Sequence, residues 1–351
     1  MNHQYYNVLG VMSGTSLDGI DIAHISLVYK DTWTFQMHQT TTIPYPDTWK
    51  RDLAQAVKLS KAEVEKLDQN YTQFLAEQIN YFVQQHQITE LLAICSHGHT
   101  VFHRPDLGYT LQIGNREELA KLTGYRVVCD FRTADVELGG QGAPLVPIGD
   151  QLLFADYDYC LNLGGFANVS HEHEGNRIAY DICPVNVVMN KLASRLGTEY
   201  DKGGAFAKAG TPHSPSIEQL NNLPYYQLPA PKSLGMEWVN EFVFPILETI
   251  DRPQDALATF IEHIADQIYE VLPVSSTVLV TGGGAYNRFL LERLQTKGLN
   301  QLVIPQSELV EFKEALIFGL LGVLRLRHAN NCLSSVTGAQ KDHSSGRVLV
   351  P

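Results

Sequence analysis

The chain is short of positive charge, short of cysteine and without any long apolar run, and each shortage removes a class of function. Its 26 Lys and Arg face 38 Asp and Glu, a formal net charge of −12. Binding through an overall positive field needs clustered cations, so no nucleic-acid partner is expected, although local basic sites stay open. The five cysteines, Cys95, Cys129, Cys160, Cys183 and Cys332, are odd in number and widely spaced, and no pair has zinc-ligand spacing. They read as reduced thiols rather than a disulfide framework. MNHQYYNVLG lacks a basic stretch leading into an apolar run, and no stretch of about 18 apolar residues occurs. The expectation is a cytoplasmic chain with neither secretion signal nor membrane span. What is there, 351 residues of which 44% are hydrophobic and 18% charged, suffices for two packed domains.

Apolar runs at 5–12, 20–29 and 32–42, separated by turn residues, predict a three-stranded antiparallel start. Over 61–85, Val64, Leu67, Tyr71, Leu75, Ile79 and Phe82 recur at helical spacing. A buried strand at 91–96 running into SHGHT, a short helix at 117–122 and a strand at 125–129 follow. A second set opens with a strand at 157–163 that ends in the glycine turn LNLGGFANVS, with another strand at Val169. This echo of the first set predicts two related halves facing each other across a cleft. Helices at 184–197, 255–271 and 285–297, a strand at 277–280 and a closing helix at 319–326 complete a mixed sheet architecture covered by helices. The stretch 210–235, rich in proline, reads as the longest irregular segment and a candidate substrate or lid loop.

The densest chemistry lies in GVMSGTSLDGID at 10–21. Gly14 and Gly19 permit close backbone approach, Thr15 and Ser16 supply hydroxyls, and Asp18 and Asp21 are hard oxygen ligands for Mg²⁺. That suits a phosphate-and-magnesium turn, with an ordinary β-hairpin as the alternative. TGGGAYN at 281–287 follows a strand and opens a helix, which suits a planar or phosphorylated ligand. A tight strand-to-helix connection explains it equally well. In DFRTADVELGGQGAPLVP at 130–147, Arg132 could fork onto a carboxylate or phosphate, or form an interdomain salt bridge. His97, His99 and His103 have no carboxylate or cysteine cluster nearby, so hydrogen bonding or packing is favoured over zinc. Ser13 and Ser96 lack partner sets for a serine hydrolase. Asp181, at a strand end before PVN and a helix, suits a general base or a helix N-cap.

Together these motifs resemble the anhydro-N-acetylmuramic acid kinases, a family of the sugar-kinase, heat-shock-chaperone and actin superfamily. The resemblance runs through GVMSGTSLDGIDIA, SHGHTVFH, TLQIGN, DFRTADVELGGQGAPLVP, LNLGGFANVS, YDKGGAFAKAG, APKS, VTGGGAYN, KEALIFGLLG and TGA, and so covers essentially the whole chain. It implies an α/β fold of two actin-like (ribonuclease H-like) domains, each with a mixed five-stranded sheet, and an ATP cleft between them. The first would span 1–135 plus about 325–351 and the second 136–324. It implies transfer of the ATP γ-phosphate to O6 of 1,6-anhydro-N-acetylmuramic acid with hydrolytic opening of the anhydro ring, in cell-wall recycling. Asp181 carries over as the base. ATP would lie on Gly14, Thr15, Ser16, Leu17, Asp18, Gly19, Ile20, Asp21, Gly164, Gly165, Gly282, Gly283 and Gly284. Mg²⁺ would lie on Asp18 and Asp21, directly or through water, and the sugar on Arg132, Asn186 and Glu314. The expected partner is a small sugar, with a homodimer compatible.

The chain departs from the family where DTGPGN followed by Asp is usual. Here it reads Asp181, Ile182, Cys183, Pro184, Val185, Asn186 and then Asn190. Side chains at 183 and 185 are expected where the family keeps backbone bare against the sugar. His99 replaces a usual Gln and Asn115 a usual acidic residue. The competing readings are therefore a sensor that binds nucleotide or sugar without turnover, or a kinase for a related anhydro sugar.

Overall fold

A computed structural model describes residues 4–14 and 16–351. The chain forms two compact units, Met1–Leu153 with Phe312–Pro351, and Phe154–Glu311.

In the first unit β1 (Gln4–Ser13), β2 (Gly19–Tyr29) and β3 (Trp33–Pro44) form an antiparallel meander. β4 (Ala93–Arg104) joins β1 in parallel, β6 (Val127–Cys129) joins β4 in parallel, and β5 (Tyr109–Ile113) pairs back on β4. α1 (Lys61–Gln85) starts at a capping box in which Ser60 and Glu63 each satisfy the other's backbone N–H. Its Tyr71, Leu75, Ile79 and Phe82 pack with Leu9, Val11, Ile20 and Ile22 of the sheet. The opposite face is covered by the closing helix Ser307–Leu326, which approaches the strands through glycines. A Cβ on Gly10 would lie 1.8 Å from the carbonyl oxygen of Ala315, and one on Gly322 would lie 2.1 Å from Cys95 Sγ.

These contacts explain where the units divide. Sequence reading puts the boundaries at 135/136 and 324/325, but the helix from Phe312 onward is sheet cover for the first unit. Gly149 belongs there too, because a Cβ on it would strike Ile317 at 2.6 Å. The closing helix departs from helical angles at Phe312, the residue where the division falls.

The second unit repeats the strand plan. β7 (Tyr159–Leu163), β8 (Phe166–His173) and β9 (Asn176–Pro184) are an antiparallel meander, and β10 (Val278–Thr281) and β11 (Leu302–Val303) add in parallel beside β7. The order β9, β8, β7, β10, β11 matches β3, β2, β1, β4, β6. This is the duplicated actin-like architecture. The second sheet has the five strands expected; the first has seven, since β5 and the C-terminal strand Arg347–Leu349 are added to β4 and β6. The extra pairing with β5 also carries β4 past Ser96 to Arg104.

Residues 210–235 are not the irregular segment expected. They contain the helix Ser214–Asn221, opened by a proline in its first turn, and the short turn Pro224–Gln227, and they bury Leu220 and Tyr225. All five cysteines are buried and none forms a disulfide. No helix among the described residues is long and apolar enough to cross a membrane.

Candidate active site

The segment 10–21 is a hairpin, with Ser13 opposite Ile20 and Met12 opposite Asp21. The structure divides the residues proposed for ATP there. Ser16 and Asp18 are exposed on the turn, Leu17 takes a left-handed φ of 62°, and a Cβ on Gly14 would meet nothing closer than Ser16 Oγ at 3.4 Å. Thr15 lies outside the described residues. Gly19 and Ile20 are set by packing: a Cβ on Gly19 would lie 2.3 Å from the Ile43 carbonyl oxygen, and Ile20 is fully buried. Asp21 Oδ1 accepts a hydrogen bond from Thr42 Oγ1 at 2.6 Å.

Beneath the turn is a buried chain of hydroxyls. Ser13 Oγ lies 2.7 Å from Tyr45 OH and 2.8 Å from His99 Nδ1, and Tyr45 OH lies 2.5 Å from Tyr71 OH. Burial holds the His99 pKa down at about 4 and pushes Tyr45 up to about 12, so the network is neutral at physiological pH. Sequence reading gave Ser13 no histidine partner. The fold supplies one, as a fixed support for the hairpin.

Arg132 donates from Nε to His97 Nε2 at 2.9 Å and from Nη1 to the Gly142 carbonyl at 2.6 Å. His97 Nδ1 faces the Gly98 carbonyl at 2.9 Å, which fixes the tautomer that leaves Nε2 as acceptor. Burial lowers the His97 pKa well below the usual range, and the Arg132 charge adds to this. Glu314 keeps an exposed side chain, yet its crowded surroundings raise its carboxyl pKa; Arg132 opposes this, Asp21 reinforces it and Lys313 opposes it. Asp21, Arg132, Lys313 and Glu314, from three distant motifs, thus lie within electrostatic reach in one unit. The buried ion pair of Lys313 Nζ with Asp150 Oδ1, 2.7 Å, was not anticipated from sequence. Its only signal was a lysine beside Glu314 at the head of the apolar stretch 315–324 of the closing helix.

In the second unit the glycine turns meet. Gly164 and Gly165 join β7 to β8, and Asn186, which opens α2 (Asn186–Ser194), donates from Nδ2 to the carbonyls of Leu163 at 3.0 Å and Gly164 at 2.7 Å. Gly282 has φ 81°, and a Cβ there would lie 2.5 Å from Asn162 Oδ1; one on Gly284 would lie 2.7 Å from Leu163 Cβ. Gly283 is different. It is exposed, and a Cβ would find its nearest neighbour, Asn186 Nδ2, at 3.8 Å. The glycines do not open the following helix directly: a short turn, Gly283–Tyr286, intervenes, and Asn287 caps the helix Arg288–Thr296 by accepting from Leu290 N at 3.0 Å.

Asp181 lies on β9, the outer strand of its sheet. The N-cap of α2 is Val185, so Asp181 does not cap that helix. The APKS segment covers the strand edge here: Asp181 N donates to the Lys232 carbonyl at 3.0 Å, Leu234 N donates to Asp181 Oδ2 at 2.9 Å, and Tyr225 OH donates to the Asp181 carbonyl at 2.6 Å. Burial raises the Asp181 pKa, against the Leu234 hydrogen bond. The other carboxylate oxygen accepts no hydrogen bond among the described residues.

A family model described as anhydro-N-acetylmuramic acid kinase matches residues 6–351. The chain belongs to this family. It is 32% identical to the anhydro-N-acetylmuramic acid kinase of Haemophilus influenzae over 99% of this chain and 98% of that protein. Identity is 33% to the enzyme of that name from Pseudomonas syringae pv. syringae, covering 97% and 98%, and 34% to that from Saccharophagus degradans, covering 98% of each.

Within this kinase family the departures at 183 and 185 now have a place. A bulge in β9 sets Asn168 opposite Asp181 and Ala167 opposite Cys183, leaving Ile182 extra. Cys183 and Val185 are both fully buried in the core of the second unit. Their side chains are turned into the core, which corrects the expectation of side chains on the ligand face.

Proposed function

We propose that this chain, a kinase by family, transfers the γ-phosphate of ATP to O6 of 1,6-anhydro-N-acetylmuramic acid while water opens the anhydro ring. The products are ADP and N-acetylmuramic acid 6-phosphate, and the setting is cytoplasmic recycling of peptidoglycan. The observation that carries the reading is the Asp181 carboxylate, half-buried, with one oxygen held by Leu234 and the other open, in a chain matching the kinase family over residues 6–351.

Asp181 takes a proton from water as the oxygen attacks C1; the C1–O6 bond breaks and O6 attacks the γ-phosphorus. This is the base half of an inverting glycosidase. Burial raises the pKa of the base, which strengthens it as a proton acceptor. The exposed turn at Gly14, Ser16, Leu17 and Asp18 takes the phosphates, and the bare backbone at Gly164 and Gly282–284 takes the nucleotide. Asp18 and Asp21, with Glu314 close to Asp21, are the hard oxygen donors that fit Mg²⁺, which when bound neutralises phosphate charge. Two donors of Arg132 fix its plane against His97 and Gly142, and the rest of its fork serves the sugar or phosphate. Asn186 spends its amide on the Leu163 and Gly164 carbonyls and acts on substrate by shaping that turn.

The test is incubation of the full chain with ATP, Mg²⁺ and the anhydro sugar. Stoichiometric ADP and N-acetylmuramic acid 6-phosphate, with the new anomer inverted at C1 by NMR, is the expected result. ADP without sugar phosphate, or no turnover with nucleotide bound, overturns it.

A further inference from the structure

The first unit contains a second cluster of chemically competent side chains. One donor atom each from Asp135, Cys332 and His343 lies within 4.8 Å of the others, and all three residues are buried. Cys332 and His343 are locked opposite each other by an isolated antiparallel bridge, Cys332 N to the His343 carbonyl at 3.1 Å and His343 N to the Cys332 carbonyl at 3.2 Å. Such pairing puts both side chains on one side of the ribbon. Asp135 is fixed from the other direction by Thr337 Oγ1, donating to Oδ1 at 2.7 Å, and by Gly142 N, donating to Oδ2 at 2.7 Å.

The histidine carries the decisive detail. Its Nδ1 lies 3.1 Å from the Lys341 carbonyl, a contact that requires the proton on Nδ1 and leaves a lone pair on Nε2. That Nε2 is buried, has no hydrogen-bond partner, and stands 3.6 Å from Asp135 Oδ1. Two lone pairs thus face each other across a gap too long for a hydrogen bond. In a tetrahedral site with ligand bonds of about 2.0–2.3 Å, donor atoms are about 3.3–3.7 Å apart. A carbonyl on the far ring nitrogen is also how ligating histidines are ordinarily oriented.

We propose that Asp135, Cys332 and His343 bind a divalent cation of the zinc class through carboxylate oxygen, thiolate and imidazole Nε2. The thiol proton is released to solvent, and the fourth position is left to water. The ion fastens the C-terminal segment to the glycine run at 139–142, and through Gly142 it supports the carbonyl that holds Arg132. This inference is independent of sugar turnover.

The test is Co²⁺ titration of the metal-stripped full chain. A thiolate-to-cobalt charge-transfer absorption that saturates at one equivalent and is displaced by Zn²⁺ is expected. Cys332→Ser should abolish that absorption, and His343→Gln, which leaves thiol and backbone bridge intact, should weaken binding at least about tenfold. No absorption in the wild-type chain, as when a proton alone fills the gap, overturns the proposal. So does unchanged absorption in Cys332→Ser, or unchanged affinity in His343→Gln should the serine variant fail to fold.

Discussion

The two units lay five strands in the same order, yet at the first turn of each sheet they offer opposite kinds of chemistry. Between β1 and β2 the turn presents Ser16 and Asp18 as exposed side chains above the buried Ser13, Tyr45, Tyr71 and His99 network. Between β7 and β8 the turn is Gly164 and Gly165, pinned by Asn186 and backed by the 282–284 glycines. One turn offers formal charge and hydroxyls, the other bare backbone. The outer strands differ as well: β9 carries Asp181 at a bulge, with the APKS segment on its edge, whereas β3 supplies Thr42 as a support for Asp21. Duplication fixes where the turns emerge, and the residues placed there decide what each can bind.

The sharpest way to break that contrast is at β9. Asp181→Asn retains an acceptor for the Leu234 N–H but removes the base, so turnover should fall about 10²–10⁴-fold while nucleotide affinity by calorimetry holds. A wild-type rate would reject the assignment. Next in size is Arg132→Lys, which keeps the charge but cannot reach both His97 Nε2 and the Gly142 carbonyl. Losing one hydrogen bond to a charged group costs about 1.5–3 kcal/mol, which is roughly 10–150-fold in kcat/KM. Steady-state kinetics near wild type would show that the fork plays no part.

A paired glycine experiment sharpens the side-chain versus backbone distinction. Gly282→Ala meets Asn162 Oδ1 and should lose about 1–3 kcal/mol in denaturant unfolding. Gly283→Ala should keep its stability within about 0.5 kcal/mol yet raise KM for ATP. Its counterpart Gly14→Val, also at an open position, should weaken nucleotide binding without unfolding the hairpin. Normal ATP binding in either open-site variant removes that turn from the nucleotide site.

The smallest expected effect is in pH dependence. Because burial raises the Asp181 pKa, the acidic limb of kcat should lie above the ordinary carboxylate value of about 3.9. The folded state then binds more protons than the unfolded state between those two values, so this group's contribution to stability declines as pH rises through that window. Asp181→Asn should remove the decline. Urea midpoints with the same pH slope in both proteins would contradict it.

Much of the frame was legible because its signals are local. The helix Lys61–Gln85 falls on its expected bounds, since apolar periodicity and the Ser60 and Glu63 box act within a few turns. Residues 10–21 form a hairpin whose turn is exposed at Ser16 and Asp18. The 210–235 segment was misread because its prolines suggest a loop, whereas one opens a helix. Cys183 was misread because a one-residue bulge changes which side of a strand a residue faces, and strand pattern alone carries no record of the bulge; Val185, past the strand end, is buried as the N-cap of the next helix.

By itself the sequence determined the family, the repeated strand plan, the glycine and carboxylate turns and the candidate base, because periodicity, turn chemistry and ordered motifs are properties of neighbours along the chain. Tertiary structure alone decided which motifs meet. Asp21 on β2, Arg132 just past the end of β6 and Glu314 on the closing helix converge, and Asp135, Cys332 and His343 converge through a two-residue bridge and a loop. Such contacts depend on which surfaces bury one another, a long-range outcome of packing that spacing in the chain does not encode.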